Sequence, residues 1–213
     1  LRNCQAGIHS KILDVGCGQG KLVWELAWYG FNNLLGIDAY IEKDITYKNK
    51  ISVLKKEVFD LEDTFDVIML HHSFEHMDKP RFVLEKIKKL LRQGGTVVLR
   101  TPNVSSYAFQ AYGGNWVQID APRHLFIHSL KSLEILSREA GLSIKKTVFD
   151  SNEFQFFGSQ QYQRDIPLMD DASYFVNPAK SIFSQADIET FKQKSAALNK
   201  SGQGDQMCVY LGK

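Results

Sequence analysis

The chain has 213 residues, 44% of them hydrophobic and 23% charged, enough apolar material for one sizeable core and well inside the globular range. Its 26 Lys and Arg against 24 Asp and Glu leave a formal charge of +2, so no strong field marks nucleic acid or an anionic membrane as the partner. Cys4, Cys17 and Cys208 are an odd set without C-x-x-C spacing, which argues against a disulfide framework or a zinc knuckle and fits a cytoplasmic location; no apolar run is long enough for membrane insertion. Leu1 stands first in place of a Met, so the chain reads as a fragment or one domain of a longer protein, and the compartment is read from cysteine usage alone.

Lys11 to Val15 is a short apolar run that fits a buried parallel strand, and Gly16, Gly18 and Gly20 follow it at alternate positions before the helix-like Lys21 to Ala27. A strand turns tightly into a helix there. Glycines admit unusual backbone angles and let a ligand approach the main chain, while the helix start offers unpaired N–H groups to an anionic group. The loop reads Asp14-x-Gly16-x-Gly18-x-Gly20 with Lys21 where a dinucleotide fingerprint has its third glycine, and Leu22 follows Lys21 where a Walker loop has Ser or Thr.

The first helix is expected to end near Gly30, a left-handed cap. Leu34 to Ile37 reads as a second buried strand with Asp38 at its carboxyl end, where a carboxylate can accept hydrogen bonds from a ribose diol. Tyr40 to Lys50 carries little helical signal, so the crossover there is shortened, and Ile51 to Lys55 is a third strand. Phe65 to Leu70 is the clearest central strand and leads into His71-His72-Ser73-Phe74-Glu75-His76. Pro80 opens an amphipathic helix with Val83, Ile87, Leu90 and Leu91 on one face; Gln93-Gly94-Gly95 ends it and Thr96 to Leu99 is the fifth strand.

After Thr101-Pro102-Asn103 comes an aromatic stretch with Tyr107, Phe109, Tyr112 and Trp116, then Asp120-Ala121-Pro122-Arg123-His124-Leu125-Phe126. A helix with Leu133, Leu136 and Ala140 on its buried face stops at Gly141; Ser143 to Phe149 is the sixth strand and Met207 to Leu211 the last. Residues 151–205 between them form an insertion with an aromatic-rich start and a helix capped by Ser184-x-x-Asp187, read as a lid or a dimerisation element. Successive strand–helix units predict an α/β, doubly wound, Rossmann-like, mostly parallel sheet in a single domain spanning 1–213. Ligands in such sheets sit beyond the carboxyl ends of the strands.

Taken in order, Asp14-Val15-Gly16-Cys17-Gly18-Gln19-Gly20, Gly36-Ile37-Asp38, Phe65-Asp66-Val67-Ile68, Phe74-Glu75-His76, Leu90-Leu91-Arg92-Gln93-Gly94-Gly95 and Asp120-Ala121-Pro122-Arg123-His124-Leu125 resemble the class I S-adenosylmethionine-dependent methyltransferases, of the small-molecule type related to the ubiquinone-biosynthesis O-methyltransferases. The resemblance covers Ile12 to Asp150. It implies a seven-stranded sheet with an antiparallel last strand, and S-adenosyl-L-methionine held by Asp14, Gly16, Cys17, Gly18, Gly20, Asp38, Ala39, Asp60, Leu61 and His71. It further implies a small-molecule acceptor, with Trp116 to Phe126 associated with a subgroup linked to sugar and cell-surface polysaccharide chemistry. The segment before the first strand, the second crossover helix and the insertion depart from the family's minimal fold.

Methyl transfer from a sulfonium is an in-line displacement, so the protein must align the acceptor and exclude water. His76 and His124 are the candidate bases for a hydroxyl acceptor. His72-x-x-Glu75-His76 matches an inverted zinc-protease string, but it directly follows a buried strand where that motif needs a helix, so no protease is read from it. No metal is assigned, since His72 stands where metal-binding relatives carry an acidic residue. The alternatives are a nicotinamide-dependent oxidoreductase, disfavoured by the glycine spacing, and a non-catalytic S-adenosylmethionine-binding module. A monomer or homodimer without nucleic acid is expected.

Overall fold

The computed structural model describes residues 2–4, 6–48 and 51–213. The chain divides into two compact units: Leu1–Thr101 with Lys131–Thr147 and Val209–Lys213, and Pro102–Leu130 with Val148–Cys208.

The first unit carries the sheet. Its strands are β1 (Ile12–Val15), β2 (Leu34–Ile37), β3 (Ile45–Thr46), β4 (Ser52–Leu54), β5 (Phe65–His71), β6 (Leu91–Pro102), β7 (Ser143–Phe149) and β8 (Gln206–Gly212), arranged β3-β4-β2-β1-β5-β6-β8-β7. β1 is parallel to both β2 and β5, and β5 is parallel to β6. All four residues of β1 are buried, as are Val67 to Leu70 of β5, because both sheet faces are covered; that is why these strands read as unbroken apolar runs. The mostly parallel, doubly wound sheet closes with antiparallel carboxyl-terminal strands. An eighth strand joins the seven expected: Ile45–Thr46 pairs antiparallel with β4 inside the stretch that lacked helical signal. Asn49 and Lys50, the end of that stretch, lie outside the described residues.

Helix α1 (Lys21–Trp28) starts after Gly20 in the left-handed region at φ 82 and ends before Gly30 at φ 91. Its Leu22 and Leu26 pack on Ile12, Val67 and Met69, the core under that side of the sheet. Helix α2 (Pro80–Leu90) begins with proline, whose missing N–H costs nothing at a helix start, and buries Val83, Leu84, Ile87 and Leu90. β6 begins at once with Leu91, earlier than the Gly94-Gly95 pair led one to expect. Leu91 pairs with Phe65, and a register shift follows before Thr96 pairs with Val67.

The strand order reverses at β1. The chain steps from β1 to β2 to β4 on one side, then crosses to place β5 on the other. α/β sheets bind ligands at such a reversal, beyond the carboxyl ends of the strands, here those of β1 and β5.

The second unit is helical and aromatic. Helix α3 (Tyr107–Tyr112) is capped by Ser106, whose hydroxyl accepts from the Phe109 N–H at 3.1 Å. Helix α5 (Phe154–Tyr162) buries Gln155, Phe156, Phe157, Gly158, Ser159 and Gln161. A helix buried this far round has no polar face, so its sequence lacks the 3.6-residue alternation that would announce it. Helix α6 (Gln185–Lys200) carries the capping box expected of Ser184 and Asp187 and buries Ile188 and Leu198. The fully buried Trp116 donates its indole N–H to Asp205 at 3.0 Å, and Ser159 of α5 accepts from the Val117 N–H at 3.1 Å. Helix α4 (Leu130–Glu139), which apart from Leu130 belongs to the first unit, buries Leu133 and ends at Gly141 as expected.

Candidate active site

The glycine loop leaves β1 with Gly16, Gly18 and Gly20 all at positive φ, a backbone path closed to most side-chain-bearing residues. At Gly16 space decides as well as angle. A Cβ there would lie 2.4 Å from the Cβ of Ser73, and the buried Ser73 hydroxyl donates to the Val15 carbonyl at 2.7 Å. At Gly18 nothing lies within 4 Å of an added Cβ, so the loop's main chain there faces open space. Tyr47 closes the loop's far side, its hydroxyl donating to the Gln19 carbonyl at 2.5 Å.

Asp38, at the end of β2, accepts from the Gly18 N–H and from the Tyr40 N–H, each at 2.8 Å. Both oxygens are thereby aimed, and each keeps a lone pair for a hydroxyl. Ala39 lies between these two anchored neighbours. The glycine loop and the carboxylate one strand away are thus hydrogen-bonded to each other.

Asp14, the last residue but one of β1, is 2% exposed and its Oδ1 has no hydrogen-bond partner. Burial, helped by the nearby Asp38 charge, pushes its carboxyl up to about 7. An unpartnered buried carboxyl oxygen costs free energy until a donor, best a cation, meets it. Burial, reinforced by Asp14 and Asp38, raises the Cys17 thiol to about 12, so Cys17 stays protonated and is not poised as a nucleophile. The absence of a Cβ on Gly36 makes room for it: one there would stand 2.6 Å from Cys17 Sγ.

His71 ends β5 and its Nε2 accepts from Arg100 of β6 at 3.0 Å, the two residues facing each other in register. His76 closes the short 3-10 turn Phe74–His76 that follows, its N–H bonded to the Ser73 carbonyl at 3.2 Å. Asp60 and Leu61 come after β4. The exposed Asp60 carboxylate bonds the Glu57 N–H at 2.9 Å, capping its own 3-10 turn, and Leu61 is buried. Of the residues assigned by resemblance, the loop and Asp38 are hydrogen-bonded to each other, Asp14 stands in β1 two residues before Gly16, and Asp60 serves a local cap.

His124 belongs to the second unit. Its Nδ1 lies 2.7 Å from the Gln118 carbonyl, and its Nε2 lies 3.8 Å from an Asp120 oxygen that Arg123 also pairs with. A carbonyl can only accept, so Nδ1 carries the proton and Nε2 is the basic nitrogen. The sequence marks Asp120 to Leu125 as a motif but not this tautomer, because the bond runs to a main-chain oxygen that any residue at 118 would supply.

A cleft of about 270 Å³, lined by Gln93, Gly94, Thr96, Lys145 and Gly212 among others, opens near the amino ends of β6 and β7 and the carboxyl end of β8. It has no part in this site.

Residues 6–147 match the family model of a methyltransferase domain. The ubiquinone biosynthesis O-methyltransferase of Pseudomonas aeruginosa (strain UCBPP-PA14) is 28% identical over 155 residues, 65% of this chain and 66% of that protein. Its namesake from Pelagibacter ubique is 30% identical over 151 residues, 64% of this chain and 62% of that protein. The chain therefore spans less than two thirds of the length of these relatives. A solved S-adenosylmethionine-dependent methyltransferase from Archaeoglobus fulgidus shares the fold, with a TM-score of 0.55 at 17% identity over 96% of this chain and 86% of the other.

S-adenosylmethionine is the cofactor of this family, and the residues fit it. The unpartnered Asp14 oxygen matches an ammonium, the twice-anchored Asp38 matches a ribose diol, and the open face at Gly18 admits a ligand against the main chain. With two thirds of its length matching the family model and the glycine loop joined to Asp38, the chain belongs to the methyltransferase-domain family, as a class I S-adenosylmethionine-dependent member related to the ubiquinone-biosynthesis O-methyltransferases.

Proposed function

We propose that the chain transfers a methyl group to an oxygen or carbon atom of a small molecule, a sugar or cell-surface precursor being the class its Trp116 to Phe126 stretch favours. The bond from Gly18 to Asp38 carries this reading, because it unites the two groups that an adenosyl donor requires. S-adenosylmethionine, when bound, supplies an electrophilic methyl on a sulfonium. Asp14 then holds the donor's ammonium, Asp38 its ribose, and Gly16 to Gly20 pack main chain against it. Cys17, Ala39, Leu61 and His71 complete the lining, and Asp60 stands toward the adenine. His76 and His124 are the groups proposed to take a proton from the acceptor or to orient it.

Residues 1–213 act as one catalytic domain in this reading, with 151–205 covering the acceptor or mediating dimerisation. The protein works in the cytoplasm on a small molecule, without nucleic acid, as a monomer or homodimer. Among the described residues no helix is long and apolar enough to cross a membrane.

Calorimetric titration with S-adenosylmethionine and, separately, with a nicotinamide dinucleotide tests the assignment. Saturable binding of the first alone is expected. Binding of the second alone would replace the methyltransferase reading by the oxidoreductase one.

A further inference from the structure

One histidine outside the assignments above is held as a base would be. His72 directly follows β5 and adopts φ 52, a left-handed conformation that is uncommon for a residue with a side chain and that collects at functional sites. Its N–H bonds the Arg100 carbonyl at 3.0 Å, and the next residue, Ser73, is fastened to Val15 and packed where Gly16 has no Cβ. The turn bearing His72 is therefore built onto the glycine loop. Three residues on, Glu75 is 0% exposed, and its Oε1 lies 3.2 Å from His72 Nδ1, while the His72 side chain is 33% exposed. The His71 ring stands edge-on at 5.3 Å, with Arg100 bonded to its Nε2.

A carboxylate removed entirely from water is expensive, and a link made only for stability would be as well served by apolar packing. Here it acts on a ring that water still reaches. An ionised carboxylate accepts only, so Nδ1 keeps its proton and Nε2 becomes the nitrogen that can take one. Resting on the methyltransferase reading above, we propose that His72, oriented by Glu75, is the base for a hydroxyl acceptor, which narrows the acceptor to an alcohol or phenol. The acceptor O–H gives its proton to His72 Nε2 as the oxygen lone pair forms the bond to the methyl carbon. The carbon–sulfur bond breaks with its electron pair passing to sulfur, leaving the neutral thioether S-adenosylhomocysteine. The imidazolium then returns its proton to water. Glu75 is a positioning residue, since it acts through the ring.

The test uses phenol, which is un-ionised at neutral pH, and 4-nitrophenol, which is largely ionised by itself at mildly alkaline pH, as probe acceptors with saturating S-adenosylmethionine. The variant is His72→Asn, because asparagine tolerates the left-handed conformation. It should lower kcat for phenol by about 100-fold or more and for 4-nitrophenol by less than about threefold, with cofactor affinity unchanged by calorimetry. In the wild type, 15N shifts of His72 should show a single Nδ1–H tautomer, and Glu75→Gln should convert it to a mixture. Equal losses with both phenols, a wild-type Nε2–H tautomer, or no methylation of either phenol would each overturn the proposal. Retained binding of S-adenosylmethionine would show that the methyltransferase reading survives that failure.

Discussion

Asp38 shows how one side chain can be prepared for a ligand by the main chain around it. Two backbone N–H groups hold its carboxylate, so both oxygens are oriented before any ligand arrives, and little ordering entropy remains to be lost on binding. Asp38→Ala should weaken S-adenosylmethionine binding by about 10- to 100-fold, the loss of one or two hydrogen bonds to a charged group. Calorimetry checks this, and unchanged affinity would remove the ribose assignment. His124 is expected to behave oppositely. Its Nδ1 is bound to the Gln118 carbonyl and its proposed role is on the acceptor, so His124→Ala should lower kcat while leaving cofactor affinity within about twofold. A fall in affinity matching the fall in kcat would place His124 with the cofactor residues instead.

At the scale of elements, the turn from β1 into α1 and the helix α5 illustrate two ways in which glycine is required. In the loop the reason is conformational and steric together, since Gly16 has both a positive φ and Ser73 against it. In α5 the reason is contact alone. A Cβ on Gly158 would lie 2.8 Å from one Val117 methyl and 3.0 Å from its Cβ, atoms close to the main chain that cannot swing away. Gly158→Ala therefore gains about 1 kcal/mol of helix propensity but loses about 1–3 kcal/mol to overpacking. Net destabilisation is expected in denaturant unfolding, with the midpoint lowered; a raised midpoint would show that the turn at Val117–Ile119 yields. The polar links of α5 point the same way: Ser159 and Gln155 are buried and bonded to Val117 and Ser195, so the helix is fixed by specific partners and not by apolar area alone.

For the whole molecule, the consequence of the buried Asp14 is a stability that depends on pH. Its folded pKa of about 7, raised by burial first and by Asp38 second, exceeds the ordinary carboxyl value of 3.8. Between these values the folded state holds a proton that the unfolded chain has released, so stability falls as pH rises through that window and levels off above about pH 7. Each unit corresponds to about 1.4 kcal/mol, which bounds the effect at about 4 kcal/mol and, after relaxation, leaves about 1–3 kcal/mol. Asp14→Asn should therefore melt above the wild type at about pH 8 and close to it at about pH 4, in the absence of cofactor. Parallel melting curves across that range would contradict the raised pKa. The same variant should lose cofactor affinity, so the site holds its acid at the expense of the fold.

The sheet was largely readable from the sequence because parallel strands buried on both faces are short apolar runs, and Ile12–Val15, Leu34–Ile37 and Phe65–His71 stand within a few residues of where their composition puts them. The glycine loop and Asp38 were readable too, since a tight strand-to-helix turn and a strand-end carboxylate are demands on residue type at a given position. Residue patterns did not show α3, α5 or the two-residue β3: α3 is only six residues long, too short to display a helical alternation, α5 is packed too fully round to keep one, and β3 exists only through its pairing with β4. Nor could they tell that Asp60 caps its own turn, that Asp14 lacks a partner for one oxygen, or that Glu75 reaches back to His72. Residue type and order state what a side chain can do; burial and the direction of its neighbours, which only folding sets, decide whether it is protonated, oriented and in reach.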